Sequence, residues 1–307
     1  METFLQQIIN GLVLGSIYAL VALGYTMVYG ILGLINFAHG EVVMIGALTA
    51  LSVIKLLSNS GLPGIVVVLI GIAAAIPACM ALGYTIERVA YRPLRNAPRL
   101  APLITAIGVS IVLQQFAMIF WGRNYHAFPP ILPATSRDIG GAQITDVQIA
   151  IILLAVAIMA GLMLLVNRTR LGRAMRATAE NPQIAGLMGV NINVIISATF
   201  LIGSALAAVA GVMVSANYSI AHYHMGFILG LKAFTAAVLG GIGNLPGAML
   251  GGVLLGLIES LGAGYVGDLT GDFFGSNYQD VFAFFVLILV LVFRPSGLMG
   301  EKVSERA

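Results

Sequence analysis

The chain has 307 residues, 59% of them hydrophobic and only 9% charged, where a soluble domain has about a quarter of its residues charged. With 15 basic and 12 acidic residues in all, there are too few charges to clothe a body of this size in water, so most of its surface must face lipid or other apolar protein. The net charge of +3 is scattered and makes no basic face, which excludes nucleic-acid binding. The single cysteine, Cys79, excludes an intrachain disulfide and any thiolate metal site, and a reduced, buried thiol is expected there.

The chain opens Met1-Glu2-Thr3 and has no Lys or Arg before Lys55. It lacks the basic start of a secretory signal, so the first apolar segment is expected to be kept. Charge-free runs cover residues 3–40, 42–54, 56–86, 100–122, 147–167, 181–231 and 233–258, and a last run ends at Phe293. These runs are continuously apolar and fit helices of about 20 residues, whereas membrane strands would alternate. The expected fold is all-α: a polytopic transmembrane helical bundle of about eight or nine spans with broken or re-entrant helices, in one domain over 1–307. Residues 3–57 hold two full passes, or one pass and a re-entrant segment.

Arg88, Arg92, Arg95 and Arg99 lie in one loop, Arg168, Arg170, Arg173 and Arg176 in another, and Arg294, Lys302 and Arg306 close the chain. The positive-inside rule makes these the cytoplasmic loops and a cytoplasmic C-terminus. The loop over 122–146, with Arg123 and Arg137 against Asp138 and Asp146, and the loop with Asp268, Asp272 and Asp280 are then external. Four crossings fit the remainder, at about 193–216, 225–242, 246–263 and 274–293, with the turn Gly243-Asn244-Leu245-Pro246-Gly247 facing the cytoplasm. Glycines at four-residue spacing, Gly11 with Gly15, Gly226 with Gly230, the series Gly243, Gly247, Gly251, and Gly252 with Gly256, predict close helix packing in lipid.

No phosphate loop, H-E-x-x-H or G-x-S-x-G motif is present, which argues against an enzyme. His222-Tyr223-His224 offers two imidazoles without an adjacent carboxylate, and no metal site is read from it. The segment Gly33–Glu41 is more informative, because it sets Asn36, His39 and Glu41 inside an apolar stretch. Ionisable groups at that depth face a bundle interior or a wet cavity. A helix restarting near Gly40 would put Glu41 in its first turn, with Asn36 satisfying loose carbonyls. Capping and lining a translocation path both fit these residues. Lys232 and Glu259 are the other charges inside apolar stretches; an ion pair is open to them, and so is snorkelling by Lys232. Within the inner loop Asn167–Asn193, Asn181 suits an N-cap, Pro182 the first helical position and Gly189 the residue past the end. A short helix Pro182–Met188 would show Ile184, Ala185, Leu187 and Met188, an apolar surface that asks for a partner or the bilayer interface.

The strings INFAHGEVVMIGA at 35–47, GRAMRATAENPQIAGLMGVN at 172–191 and KAFTAAVLGGIGNLPGAMLGG at 232–252 resemble the LivH-type permease subunit of branched-chain amino-acid ABC importers, over essentially the whole chain. The resemblance implies a bacterial inner-membrane subunit without cofactors. Its partners would be a second permease, two cytoplasmic ATPase subunits and a periplasmic substrate-binding protein. It implies ATP-driven alternating access for leucine, isoleucine or valine, with a cytoplasmic coupling loop at about 167–192 docking on the ATPase. The matching positions are Arg173, Arg176, Thr178, Glu180, Asn181, Ile184, Gly186 and Gly189. No family motif fixes a substrate path, so Asn36, His39, Glu41, Lys232 and Glu259 rest on the residue-level argument. A urea or short-chain amide permease shares much of this pattern, and an ion-coupled secondary transporter or a passive channel would also be apolar with carboxylates at depth.

Overall fold

A computed structural model describes residues 2–95, 97–98, 100–130, 135–269 and 278–300, with only the backbone described at 139 and 267–269. The expectations placed on Arg99, Asp272, Lys302, Arg306 and the first residues of the last span, and on the Asp268 side chain, lie outside that description. The described residues are mostly helical: α1 Glu2–Leu32, α2 His39–Leu57, α3 Gly64–Ile86, α4 Leu100–Trp121, α5 Asp146–Arg168, α6 Arg170–Glu180, α7 Pro182–Leu187, α8 Ile192–Tyr218, α9 Met225–Gly240, α10 Leu245–Leu269 and α11 Gln279–Phe293. Seven helical segments among the described residues are long and apolar enough to cross a membrane, α3 being counted with the turns that continue it to Leu94. The apolar helices α9 and α11 have 16 and 15 residues, about 24 Å or less at 1.5 Å per residue, against a hydrocarbon core of about 30 Å. The protein is therefore a multi-pass membrane protein of the all-α class.

Two compact units make up the chain. One comprises Met1–Thr26, Ala134–Met159 and Lys232–Ala307, the other Met27–Pro133 and Ala160–Leu231.

In the second unit α2, α3 and α8 pack mutually, and small residues set their spacing. A Cβ at Gly46 would lie 2.7 Å from Ala208 Cα and 3.1 Å from Cys79 Sγ. Only hydrogen fits where the three helices meet, as close packing in lipid requires. Cys79 is buried and free. Beyond α3 the helix loosens into a π-helical turn, Glu87–Tyr91, and a 3-10 turn, Arg92–Leu94. Strand β1 (His126–Ala127) pairs antiparallel with β4 (Ile220–Ala221), tying the loop after α4 to the loop after α8.

In the first unit α1 packs on α10, where a Cβ at Gly256 would overlap the backbone of Gly11 and Gly15. Strands β2 (Ser136–Ile139) and β3 (Ala142–Thr145) form a hairpin. Its turn residues Gly140 and Gly141 have φ of 62° and 87°, the positive values of a two-residue hairpin turn. Gln6 bonds the hairpin at Gln143 in both directions, at 3.0 and 2.8 Å, so the start of α1 shares an end of this unit with the hairpin. At the other end Asn244 caps Gly247 N at 2.9 Å. Leu298 and Met299 donate to the last carbonyls of α9, those of Leu239 and Gly240, groups that no helical partner could satisfy.

Three sequence expectations change here. Gly243 is a turn residue with φ 96° that precedes α10, so the packing series is Gly247 and Gly251 alone. Part of the inner loop is a second helix, α6. Asp280, read as a loop charge, lies in the first turn of α11.

Candidate functional site

Helix α2 begins at His39, directly after the break over 33–38, and Glu41 occupies its first turn, where the helix dipole favours an anion. Asn36, His39 and Glu41 are all buried, at 4%, 2% and 1% exposure. The Asn36 amide oxygen accepts from Ala38 N at 3.2 Å and from Tyr91 OH at 3.1 Å. It therefore satisfies donors at the helix entry, not the loose carbonyls the sequence suggested. Glu41 Oε1 accepts from Ser110 Oγ at 3.0 Å and Gln114 Nε2 at 2.7 Å, both on α4, while Oε2 has no hydrogen-bond partner among the described residues.

Further along the same helices Trp121 Nε1 donates to Ser52 Oγ at 2.8 Å. The interval from Glu41 to Ser52 equals that from Ser110 to Trp121, so α2 and α4 run parallel and α2 starts level with the middle of α4. The first turn of α9 closes this site: a Cβ at Gly226 would overlap Gly40 O and sit 2.7 Å from Glu41 Oε2. Two helix N-termini, both fields that favour negative charge, meet at one buried carboxylate.

In the first unit Lys232 and Glu259 form the ion pair the sequence left open, at 2.7 Å. Lys232 also pairs with Asp280 at 2.6 Å, and Tyr18 OH donates to Glu259 Oε2 at 2.9 Å. Lys232 does not snorkel, because its side chain is 7% exposed. The sequence missed Ser110, Gln114, Tyr18 and the role of Asp280, none of which has a local signal.

The inner loop builds a double-capped projection. Thr169 Oγ1 accepts from Gly172 N at 3.1 Å and starts α6. Arg176 turns back on the end of α5, donating to Val166 O at 3.0 Å and Asn167 Oδ1 at 2.9 Å, the placement a helix C-terminus favours. Thr178 is fully buried, whereas Arg173 and Glu180 are exposed. Asn181 Oδ1 accepts from Ile184 N at 3.0 Å and caps α7. That helix ends with Val190 N bonded to Ala185 O and Gly189 N to Gly186 O, the Schellman pattern, with Gly189 at φ 87°. Ile184, Leu187 and Met188 are 58%, 88% and 82% exposed, and a Cβ at Gly186 would meet open space. Ala185, expected on that face, is buried instead.

His222 Nδ1 accepts from its neighbour His224 N at 3.1 Å. Burial first, and the His224 charge second, hold its pKa below the usual imidazole value. Among the described residues no three metal-ligating side chains gather.

One family model, described as "Branched-chain amino acid transport system / permease component", matches residues 7–291. The permease protein BraD of Pseudomonas aeruginosa, described as part of a high-affinity branched-chain amino acid transport system, is 51% identical across 99% of this chain and 98% of its own length. LivH of Escherichia coli strain K12, described in the same terms, is 45% identical across 99% and 97%. A probable LivH of Methanocaldococcus jannaschii is 27% identical across 95% and 91%. Together with the apolar helices and the capped projection, these matches place the chain in the family of branched-chain amino acid transport system permease components: it is a membrane permease subunit and not itself an enzyme.

Proposed function

We propose that this chain is the inner-membrane permease subunit of an ATP-driven importer for branched-chain amino acids. Residues 1–307 form one permease domain, paired with a second permease, two cytoplasmic ATPase subunits and a periplasmic substrate-binding protein. Helix α7 is the docking knob, and Glu180, Asn181, Ile184, Gly186 and Gly189 shape it. Arg173 adds charge on the exposed side, while Arg176 and Thr178 hold α6 in place. The observation that carries this reading is α7 itself, a rigidly capped helix with three large apolar side chains in the open on a chain that matches such permeases along its whole length. A cluster of exposed apolar side chains of that kind marks a surface for a partner.

Topology supports the same reading. Nine crossings, with α9 and α11 included, put the hairpin and the start of α1 outside and the Gly243 turn, α7 and the C-terminus inside. The end-sharing contacts within each unit agree with that order. The half-depth start of α2 supports a path role for Asn36, His39 and Glu41 in the second unit, and the buried Lys232–Glu259 pair supports such a role for those two residues within the first. Such a permease needs only small differential contacts with its substrate, since ATP supplies the bias between inward and outward states.

Gly186→Trp fills open space beside the knob. It is expected to leave membrane insertion intact and to abolish co-purification with the ATPase subunits. Unchanged co-purification would refute the docking role.

A further inference from the structure

The geometry points to Glu87 as a positioning residue that passes movement of the α7 knob to the broken segment at Asn36, through the π-helical turn Glu87–Tyr91. This rests on the docking role of α7 and goes beyond it, because Glu87 touches neither a partner nor a path.

The route begins at the knob. α7 is capped at both ends, and only Val190 separates its Gly189 stop from Asn191, which caps α8 by accepting from Val194 N at 3.3 Å. A displacement of α7 therefore reaches the first turns of α8 with little slack. Those turns are gripped by the segment after α3. Asn193 accepts from Arg95 at 2.6 Å. Ser197 donates to Glu87 Oε2 at 2.9 Å and accepts from Arg92 at 3.3 Å. Glu87 Oε1 takes both Arg92, at 3.3 Å, and Arg95.

Glu87 is fully buried. An unpaired carboxylate there would be costly, so it must follow its arginines and Ser197. Burial also holds the Arg95 guanidinium below its ordinary pKa despite the adjacent carboxylate.

At the far end of the same turn stands Tyr91, 1% exposed and packed on Phe200 of α8 at 5.3 Å between ring centres. Its hydroxyl reaches Asn36 Oδ1 at 3.1 Å and Ile35 O at 3.3 Å, and Asn36 sets the entry to α2, three residues before His39. Between them, Arg92 N bonds Glu87 O, the i to i+5 spacing of a π turn. Such a turn holds one residue more than an α turn and recurs at functional sites. Clamp and sensor thus sit at opposite ends of one adjustable turn.

The test uses the reconstituted importer, measuring uptake per ATP hydrolysed. Glu87→Gln is expected to assemble with the ATPase and still hydrolyse ATP, while uptake per ATP falls roughly 5- to 150-fold, the range of ordinary coupling free energies. Glu87→Asp, which keeps the charge, is expected to recover part of it. Tyr91→Phe cuts the other end of the route and should lower the same ratio, and the double variant should be no worse than the more severe single one. If Glu87→Gln does not accumulate in the membrane, Tyr91→Phe alone decides. An unchanged ratio in the assembled variants, or additive losses in the double variant, would overturn the proposal. Failure of the wild-type chain to bind the ATPase would instead overturn the docking role, and that result precedes any substitution.

Discussion

The buried charges of the first unit make a quantitative prediction. Lys232→Met preserves length and packing but leaves Glu259, 1% exposed, and Asp280, 41% exposed, without their shared cation. Removing one partner of a buried ion pair costs about 3–5 kcal/mol, because the remaining charge stays desolvated. Asp280 can rehydrate, which places the expected loss toward the lower end of that range. Glu259→Gln is milder. The amide keeps an acceptor for Tyr18, and Lys232 retains Asp280, so the loss should be about 1.5–3 kcal/mol, the scale of one charged hydrogen bond. The double variant Lys232→Met/Glu259→Gln removes the stranded carboxylate and should be more stable than Lys232→Met alone by at least about 1 kcal/mol. Unfolding of the purified chain in mixed micelles, followed by helical circular dichroism as the denaturing detergent fraction rises, gives the three free energies. If the two single variants lose equal stability and their effects simply add, the cluster is not the interacting unit described above.

Two further outcomes concern the α2 entry. Gly226→Ala drives a methyl into Gly40 O and toward Glu41; it should lower both the amount of folded chain and its transport, whereas Gly161→Ala, where an added Cβ meets open space, should lower neither. Glu41→Gln keeps acceptors for Ser110 and Gln114 but loses the charge, so flux should fall at unchanged expression. Equal losses of flux and expression would assign Glu41 to helix capping alone, and flux is read as labelled leucine uptake by cells lacking other importers.

How far the sequence could be read depended on the range of each signal. The ends of α7 were legible because Asn181, Pro182 and Gly189 act within a few residues of themselves, and the structure uses each in that role. Glu41 in a first turn was legible from Gly40 and the surrounding apolar run. Its partners Ser110 and Gln114 were not, lying 69 and 73 residues away on a helix with no pattern pointing at α2. Helix α6 escaped because RLGRAMRATAE has no apolar run, although Thr169 offered a cap; its inward face is only Gly172, Met175 and Thr178. Glu87 stands at the edge of an apolar run beside arginines and carried no expectation. Nothing local distinguishes a loop charge from one folded back under a helix, and the same ambiguity misplaced Asp280. The hairpin was legible in principle, from two glycines between short segments able to alternate.

The most direct test of the account is leucine accumulation in proteoliposomes containing this chain, its permease partner and the two ATPase subunits, with the loaded binding protein outside and ATP within. Accumulation that requires ATP, the ATPase subunits and the binding protein together is the expected result. Concentration of leucine by the purified chain alone, driven by an ion gradient, would contradict it.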